Sequence, residues 1–122
     1  MSVFFYDSYA VIEYLNDNPL FRSYFEEHTG ILTLLNLLEI YYSVLQETGE
    51  EKAKEVLEIL QPLTVHPSKE SIQKAMKFRL HNKKHDLSYA DCLGYQIAAD
   101  RGIKFLTGDK EFKNIENVEF VK

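Results

Sequence analysis

The chain has 122 residues, of which 45% are hydrophobic, and its formal net charge is −5. This length predicts one domain spanning residues 1–122, with enough apolar surface to form a core without disulfide bonds. The single cysteine, Cys92, excludes an internal disulfide bond and favours a cytoplasmic protein. No apolar run has the length of a membrane span, and Asp7 interrupts the first apolar run too early for a signal peptide.

The charge is unevenly distributed along the chain. Residues 1–60 carry eleven acidic and three basic side chains, whereas residues 61–122 carry eight acidic and eleven basic ones. The acidic half argues against nucleic-acid binding by that part of the chain. In the basic half, Lys83, Lys84 and Lys110 are candidates for a rim that contacts RNA phosphates, although an ordinary solvated surface explains these lysines equally well.

Predicted strands and helices alternate along the sequence. Apolar, β-branched runs predict strands at residues 3–6, 31–35, 63–65, 103–106 and 118–121. Apolar residues at helical spacing, together with cap and stop signals, predict helices at residues 9–15, 19–28, 37–47, 50–60, 69–80 and 89–101. This alternation predicts an α/β fold, a three-layer α/β/α sandwich with a central parallel sheet of about five strands.

The stretch LSYADCLGYQIAADRGIKFLTGDKEF, residues 87–112, predicts a helix, a strand and a turn in succession. Ser88 is a good helix N-cap, and Asp91 follows it at the spacing of a capping box. Asp109 lies in the turn just beyond the predicted strand. In a parallel sheet, helix starts and strand ends meet at the carboxyl edge, where open α/β folds bind their ligands.

Two more acidic residues are expected at this edge. Asp7 ends the first predicted strand, and Glu39 follows the second, three residues after Asn36, the predicted N-cap of its helix. If the first and fourth strands are neighbours, Asp7 and Asp109 lie side by side, with Asp91 and Glu39 closing the group. Capping boxes explain Glu39 and Asp91 individually, but together the four acids concentrate negative charge, and such oxygen-rich groups suit Mg²⁺ or Mn²⁺.

Other catalytic classes lack their sequence signals. Ser8 has no Gly-x-Ser-x-Gly context, which excludes the usual serine hydrolase, and the chain has no glycine-rich phosphate loop. The first strand is followed by Asp7-Ser8-Tyr9 rather than by the Asp-x-Asp of haloacid dehalogenase-type phosphotransferases. The four histidines are not at metal-ligand spacing.

Four segments resemble a known family: FFYDS at 4–8, LLNLLEIYYSV at 34–44, LSYADCLGYQIAADRG at 87–102 and KFLTGDKEF at 104–112. In order and spacing they are similar to the PIN domain, and most of all to the short VapC-type toxin ribonucleases. The resemblance implies a parallel sheet in the order 3-2-1-4-5. It also implies Mg²⁺- or Mn²⁺-dependent cleavage of RNA that leaves a 5′-phosphate and a 3′-hydroxyl.

The resemblance also implies roles for individual residues. The positions of the family's acidic residues, which bind metal and catalyse cleavage, are taken by Asp7, Glu39, Asp91 and Asp109. Three residues are expected to support them: Ser8, Asn36 and Thr107. Thr107 matches a hydroxyl residue often found two positions before the last acid, whereas Asn36 stands where the family often has Thr or Ser.

The partners implied by the resemblance are an RNA substrate, a second copy of the chain in a homodimer, and an antitoxin that places a cation in the acidic site. Two alternatives remain open at this point. One is a PIN-like RNA-processing nuclease without an antitoxin, and the other is a non-catalytic module that binds metal or a partner.

Overall fold

The computed structural model describes all residues, 1–122, and is built around a parallel sheet. Its four strands are β1 (Val3–Tyr6), β2 (Thr29–Ile31), β3 (Lys104–Thr107) and β4 (Val118–Phe120). They lie in the order β2-β1-β3-β4, so β1 and β3 form the centre of the sheet. The central pair is in parallel register, with Phe5 opposite Phe105 and Tyr6 opposite Leu106.

Six α-helices flank the sheet: α1 (Ser8–Leu15), α2 (Arg22–Glu26), α3 (Leu34–Glu47), α4 (Glu50–Leu60), α5 (Lys69–His81) and α6 (Tyr89–Asp100). Helix α6 contacts β1 and β3 and is covered by α5, whereas α1 contacts β3 and α3, and α3 contacts α4. Short 3₁₀ turns occur at Pro19–Phe21, Gln61–Leu63 and Lys110–Phe112. None of the helices combines the length and apolar character needed to cross a membrane.

Aromatic rings at the centre of the core hold α6 close to the sheet. The Phe5 and Phe105 rings stack across β1 and β3 with centroids 5.8 Å apart, and Phe112 contacts Phe105 at 4.7 Å. Gly94 lies over these rings, and a Cβ at this position would be 2.4 Å from Phe5 Cε1. The missing side chain therefore allows the first turn of α6 to lie against the carboxyl edge of the sheet.

The predicted third strand, residues 63–65, is reduced to a single parallel bridge between Leu32 and Thr64. Leu32 N–H donates to the Leu63 carbonyl at 3.3 Å, and Val65 N–H donates to the Leu32 carbonyl at 2.9 Å. The residues just before this bridge form a 3₁₀ turn that contains Pro62, which has no N–H for a strand ladder. The fold class and the relative strand order are confirmed, but the sheet has four strands rather than five.

Other boundaries differ from the sequence-based prediction. The second strand begins at Thr29, two residues earlier than predicted, with Gly30 buried under the Tyr6 ring. Helix α3 begins at Leu34 with Thr33 as its N-cap, so the prediction of Asn36 as the N-cap is wrong. Asn36 instead occupies the third helical position. The predicted helix at residues 19–28 is divided between the 3₁₀ turn and α2.

Candidate functional site

The four predicted acids are brought to the carboxyl edge of the sheet by the central strand pair. Asp7 directly follows β1, and its N–H donates to the Leu106 carbonyl at 3.1 Å. Asp109 comes two residues after β3, which is paired with β1 in parallel. Asp91 lies in the first turn of α6, and Glu39 lies in the second turn of α3. We refer to these four residues as the acidic cluster.

Burial and mutual repulsion raise the pKa values of two members of the acidic cluster. Asp7 is only 2% exposed, and its burial, reinforced by the charges of Asp91, Glu39 and Asp109, raises its pKa to about 8. Burial also raises the pKa of Asp91, with added repulsion from Glu39 and Asp109, although hydrogen bonds from Ser88 act in the opposite direction. The four carboxyl groups therefore share one electrostatic environment.

Thr107 connects Asp7 with Asp109. Its hydroxyl accepts a hydrogen bond from the Asp109 N–H at 3.0 Å, so its own proton is free to be donated. That proton is donated to Asp7 Oδ2, with an oxygen–oxygen distance of 2.6 Å. Because Thr107 is fully buried, the bond holds the Asp7 carboxyl in one orientation.

A second chain of hydrogen bonds holds Glu39. The Ser8 hydroxyl donates to Glu39 Oε1 at 2.6 Å, and Asn36 Nδ2 donates to the Ser8 oxygen at 2.9 Å. Asn36 Oδ1 in turn accepts bonds from the Thr33 N–H and hydroxyl, both at 3.0 Å. Asn36 is thus not the N-cap but the third-position partner of a capping box that begins at Thr33, and it also supports Ser8. Thr33 was not predicted, although a Thr directly before an apolar helical run is a recognisable N-cap signal.

Asp91 forms the predicted capping box. The Ser88 N–H donates to Asp91 Oδ2 at 2.8 Å, and the Asp91 N–H donates to the Ser88 hydroxyl oxygen at 3.0 Å. The capping role and membership in the acidic cluster are compatible, because the bond to Ser88 uses only one of the two carboxylate oxygens.

In every member of the acidic cluster, one carboxylate oxygen is bonded to the protein and the other is not. Asp7 Oδ2, Glu39 Oε1, Asp91 Oδ2 and Asp109 Oδ1 each accept a hydrogen bond from the protein. The second oxygen of each carboxylate accepts no hydrogen bond. Because no fully buried side-chain nitrogen or oxygen lacks a partner, these four free oxygens are accessible. Each acid therefore has one oxygen that fixes its orientation and another that is free to bind a ligand.

The chemistry of these free oxygens fits a hard divalent cation. Mg²⁺ and Mn²⁺ prefer carboxylate and water oxygens, and a soft or nitrogen-rich donor set is not present at this edge. No three His, Cys, Asp or Glu side chains converge closely enough to enclose an ion between them. Mg²⁺ commonly binds through one or two carboxylates and retains several waters, so it does not require a group of three converging side chains.

Residues 4–118 match the family model of the PIN domain. The chain belongs to the PIN domain family. Among solved structures, it is similar to a chain of a toxin-antitoxin complex from Klebsiella pneumoniae, with 15% sequence identity and a TM-score of 0.74. That similarity covers 97% of this chain and 95% of the other, and at this identity it demonstrates a shared fold. No curated protein sequence matches the chain.

The three lysines predicted to contact RNA lie in segments that lead to or from members of the acidic cluster. Lys83 and Lys84 are exposed in the loop at residues 82–88, between α5 and α6, and Lys110 directly follows Asp109. None of the three forms an ion pair within the chain. Their positive charges are therefore exposed and not neutralised within the chain.

Glu111, which was not predicted, fixes the 82–88 loop beside Asp109. Its Oε1 accepts a hydrogen bond from the Asp86 N–H at 3.2 Å and lies 3.3 Å from His85 Nδ1. Its own N–H donates to Asp109 Oδ1 at 3.0 Å. No sequence motif indicates this contact, because it joins residues 25 positions apart.

We expect Asn36→Ala to destabilise the PIN domain by about 1–3 kcal/mol, because buried partners in Ser8 and Thr33 would lose their hydrogen bonds. Glu39 would also lose its fixed orientation, so the rise in melting temperature on adding Mn²⁺ should become smaller. Asn18→Ala is a suitable control, since the Asn18 side chain bonds Glu13 and the Leu20 N–H beyond the end of α1 that is opposite Asp7. Thermal melts with Mn²⁺ and with chelator test both effects. An unchanged Mn²⁺ shift in Asn36→Ala would limit Asn36 to a purely structural role.

Proposed function

We propose that this PIN domain is a metal-dependent endoribonuclease whose catalytic residues are Asp7, Glu39, Asp91 and Asp109. The proposal rests mainly on one observation. In each of the four carboxylates, one oxygen accepts a hydrogen bond from the protein and the other is free to bind a ligand. Membership in the PIN family and the high pKa of Asp7 support it, since a cation would offset the cost of ionising a buried carboxyl.

In this proposal Asp7, Asp91 and Asp109 hold Mg²⁺ or Mn²⁺, partly through water molecules bound to the ion, and Glu39 binds a metal or orients water. A divalent ion held by these residues would supply an activated water and a positive charge near the leaving oxygen of a phosphodiester. A water oxygen forms a bond to phosphorus while the bond to the 3′-oxygen breaks and that oxygen gains a proton. The products carry a 5′-phosphate and a 3′-hydroxyl. Thr107, Ser8 and Asn36 keep the carboxylates in position.

Incubation of purified protein with end-labelled RNAs tests the reaction. We expect cleavage with Mg²⁺ or Mn²⁺, no cleavage in excess chelator, and products whose new 5′ ends carry phosphate. Single-stranded and loop RNAs are the appropriate substrates, because unpaired bases are what most sequence-specific RNA-binding proteins recognise. Cleavage that continues undiminished in chelator would overturn the metal-dependent nuclease assignment. If neither Mg²⁺ nor Mn²⁺ gives cleavage, the assignment is also overturned and a non-catalytic module is favoured.

We further propose that this nuclease is the cytoplasmic toxin of a toxin-antitoxin pair. The similar fold of a chain from a toxin-antitoxin complex supports an antitoxin partner. A cationic side chain of that partner, placed in the acidic cluster, would relieve the repulsion that raises the pKa values of Asp7 and Asp91. Growth arrest on expression, relieved by the product of a neighbouring reading frame, tests this role. Cleavage without growth arrest would favour the RNA-processing alternative.

The proposed homodimer is supported by an apolar surface on α3 and α4. Large side chains remain exposed on this face of α3: Leu34, Leu38, Tyr42 and Leu45. A groove of about 390 Å³ runs between the two helices. We expect Tyr42→Glu to convert the dimer to a monomer in analytical ultracentrifugation, because the introduced carboxylate would be buried unpaired. Ile72→Glu, on α5, is the matched control, and a monomeric parent protein would contradict the proposal.

Replacing Lys83, Lys84 and Lys110 together with Ala should weaken RNA binding and reduce its dependence on salt. Each lost phosphate contact lowers the slope of log K against log salt by about 0.7 for single strands, so the full change is about 2. Lys52, Lys54 and Lys69, in the first turns of α4 and α5 and away from the acidic edge, provide a charge-matched control. Equal slopes for the parent and the first triple variant would show that these lysines form only a solvated surface.

A further inference from the structure

An exposed aromatic ring lies next to the acidic cluster. Tyr89, the first residue of α6, is 63% exposed, and its hydroxyl makes no hydrogen bond within the chain. Tyr89 therefore does not serve to fill the hydrophobic core. Asp91 is two positions later, so Tyr89 shares the first turn of α6 with one member of the acidic cluster.

Arg79 covers one face of the Tyr89 ring. Its guanidinium carbon is 4.5 Å from the ring centroid, a cation–π contact. The same side chain donates from Nε to the Leu87 carbonyl at 3.2 Å. Leu87 is buried and precedes the N-cap of α6, so Arg79 is fixed at both the loop and the ring. The tyrosine is held against the guanidinium and leaves its other face open.

The 82–88 loop beside this ring is also fixed at its other side. Glu111 holds the Asp86 N–H and the His85 ring, and it is bonded through its backbone to Asp109. The Tyr89–Arg79 pair is thus connected to Asp91 through the first turn of α6 and to Asp109 through the loop contacts of Glu111. A rigid, exposed aromatic plane in this place is suited to hold one nucleotide of a bound strand.

We propose that Tyr89, backed by Arg79, stacks on an unpaired base of the RNA beside the phosphate bound at the acidic cluster. This inference rests on the proposed function. Every base has a π-face, so stacking on Tyr89 selects single-stranded RNA without strongly selecting its sequence. Duplex RNA cannot make this contact, because its base faces are covered by neighbouring pairs. The substrate class is therefore RNA with at least one unstacked nucleotide next to the cleaved bond.

Fluorescence anisotropy with labelled single-stranded oligo(U) and oligo(A) tests the inference in an Asp7→Asn background, which prevents cleavage during the measurement. We expect Tyr89→Leu to weaken binding by about five- to 150-fold, the range for loss of one base–aromatic stack. Tyr89→Phe keeps the ring and should bind like the Asp7→Asn parent. Leu80→Ala, which removes another exposed apolar side chain near Arg79, should also leave affinity unchanged.

Oligonucleotides with one abasic nucleotide identify the stacked base. At the position that contacts Tyr89, the abasic change and Tyr89→Leu should not be additive, whereas elsewhere their effects should add. Equal affinity of the Asp7→Asn parent and the Tyr89→Leu variant, with wild-type cleavage intact, would overturn this inference alone. A loss of RNA affinity in Leu80→Ala as large as that in Tyr89→Leu would also overturn the inference. Absence of both RNA binding by the parent and cleavage by the wild type would remove the proposed function and this inference together.

Discussion

Asp7→Asn should lower metal-dependent RNA cleavage by at least about 100-fold while leaving the fold intact. Loss of residues that merely support a metal ligand commonly reduces metal affinity or activity by 10- to 100-fold, so loss of a proposed ligand should cost at least the upper value. Asn retains an oxygen that can accept the Thr107 hydroxyl, so the buried hydrogen bond is preserved. Initial rates at saturating Mn²⁺ measure the effect, and circular dichroism verifies the fold.

Asp100→Asn is the matched control for this experiment. Asp100 lies at the opposite end of α6 from Asp91 and is hydrogen-bonded by Ser71, Gln96 and Lys74. The substitution removes the same charge from the same protein but not from the acidic cluster, so cleavage should remain close to wild type. Comparable rates for Asp7→Asn and the wild type would exclude Asp7 from catalysis.

The stability of the metal-free protein should decrease as the pH rises from about 4 to about 8. Burial and neighbouring carboxylates raise the pKa of Asp7 from 3.8 to about 8, so within this range the folded protein holds a proton that the unfolded chain releases. Stability from such a group is fully present below the lower value and is lost as pH rises through the upper one. The slope is at most about 1.4 kcal/mol per pH unit.

Asp7→Asn removes this titration, so its melting temperature in chelator should exceed that of the wild type by an amount that grows up to about pH 8. Asp100→Asn should instead melt below the wild type by a nearly constant amount from about pH 5 to about pH 8, and this deficit should shrink only at lower pH. The hydrogen bond from Ser71 lowers the pKa of Asp100, so that residue stabilises the fold above its unfolded pKa and the benefit is lost as pH falls. Thermal melts across this pH range compare the three proteins. A constant difference between Asp7→Asn and the wild type would contradict a raised pKa for Asp7.

The sequence determined the local features of this protein. The alternation of apolar runs with helical patterns predicts the parallel α/β class, because strand and helix periods differ. Ser88 and Asp91 form their capping box through neighbours three residues apart, and the structure contains that box as predicted. The order and spacing of the four motif segments also predicted membership in the PIN family. The periodicity and the capping box depend on residues that are close together in the chain, and the motif segments are recognised by their order along it.

Only the tertiary structure decided how distant segments meet. The β1–β3 pairing places Asp7 beside Thr107, a hundred positions away, and burial there produces the high pKa of Asp7. The hydrogen bonds from Asn36 to Ser8, and those that join Glu111 to the 82–88 loop, likewise have no local signal. The physical reason is that burial and long-range contacts depend on strand register and helix packing, whereas caps and periodicity are set by a few neighbouring residues.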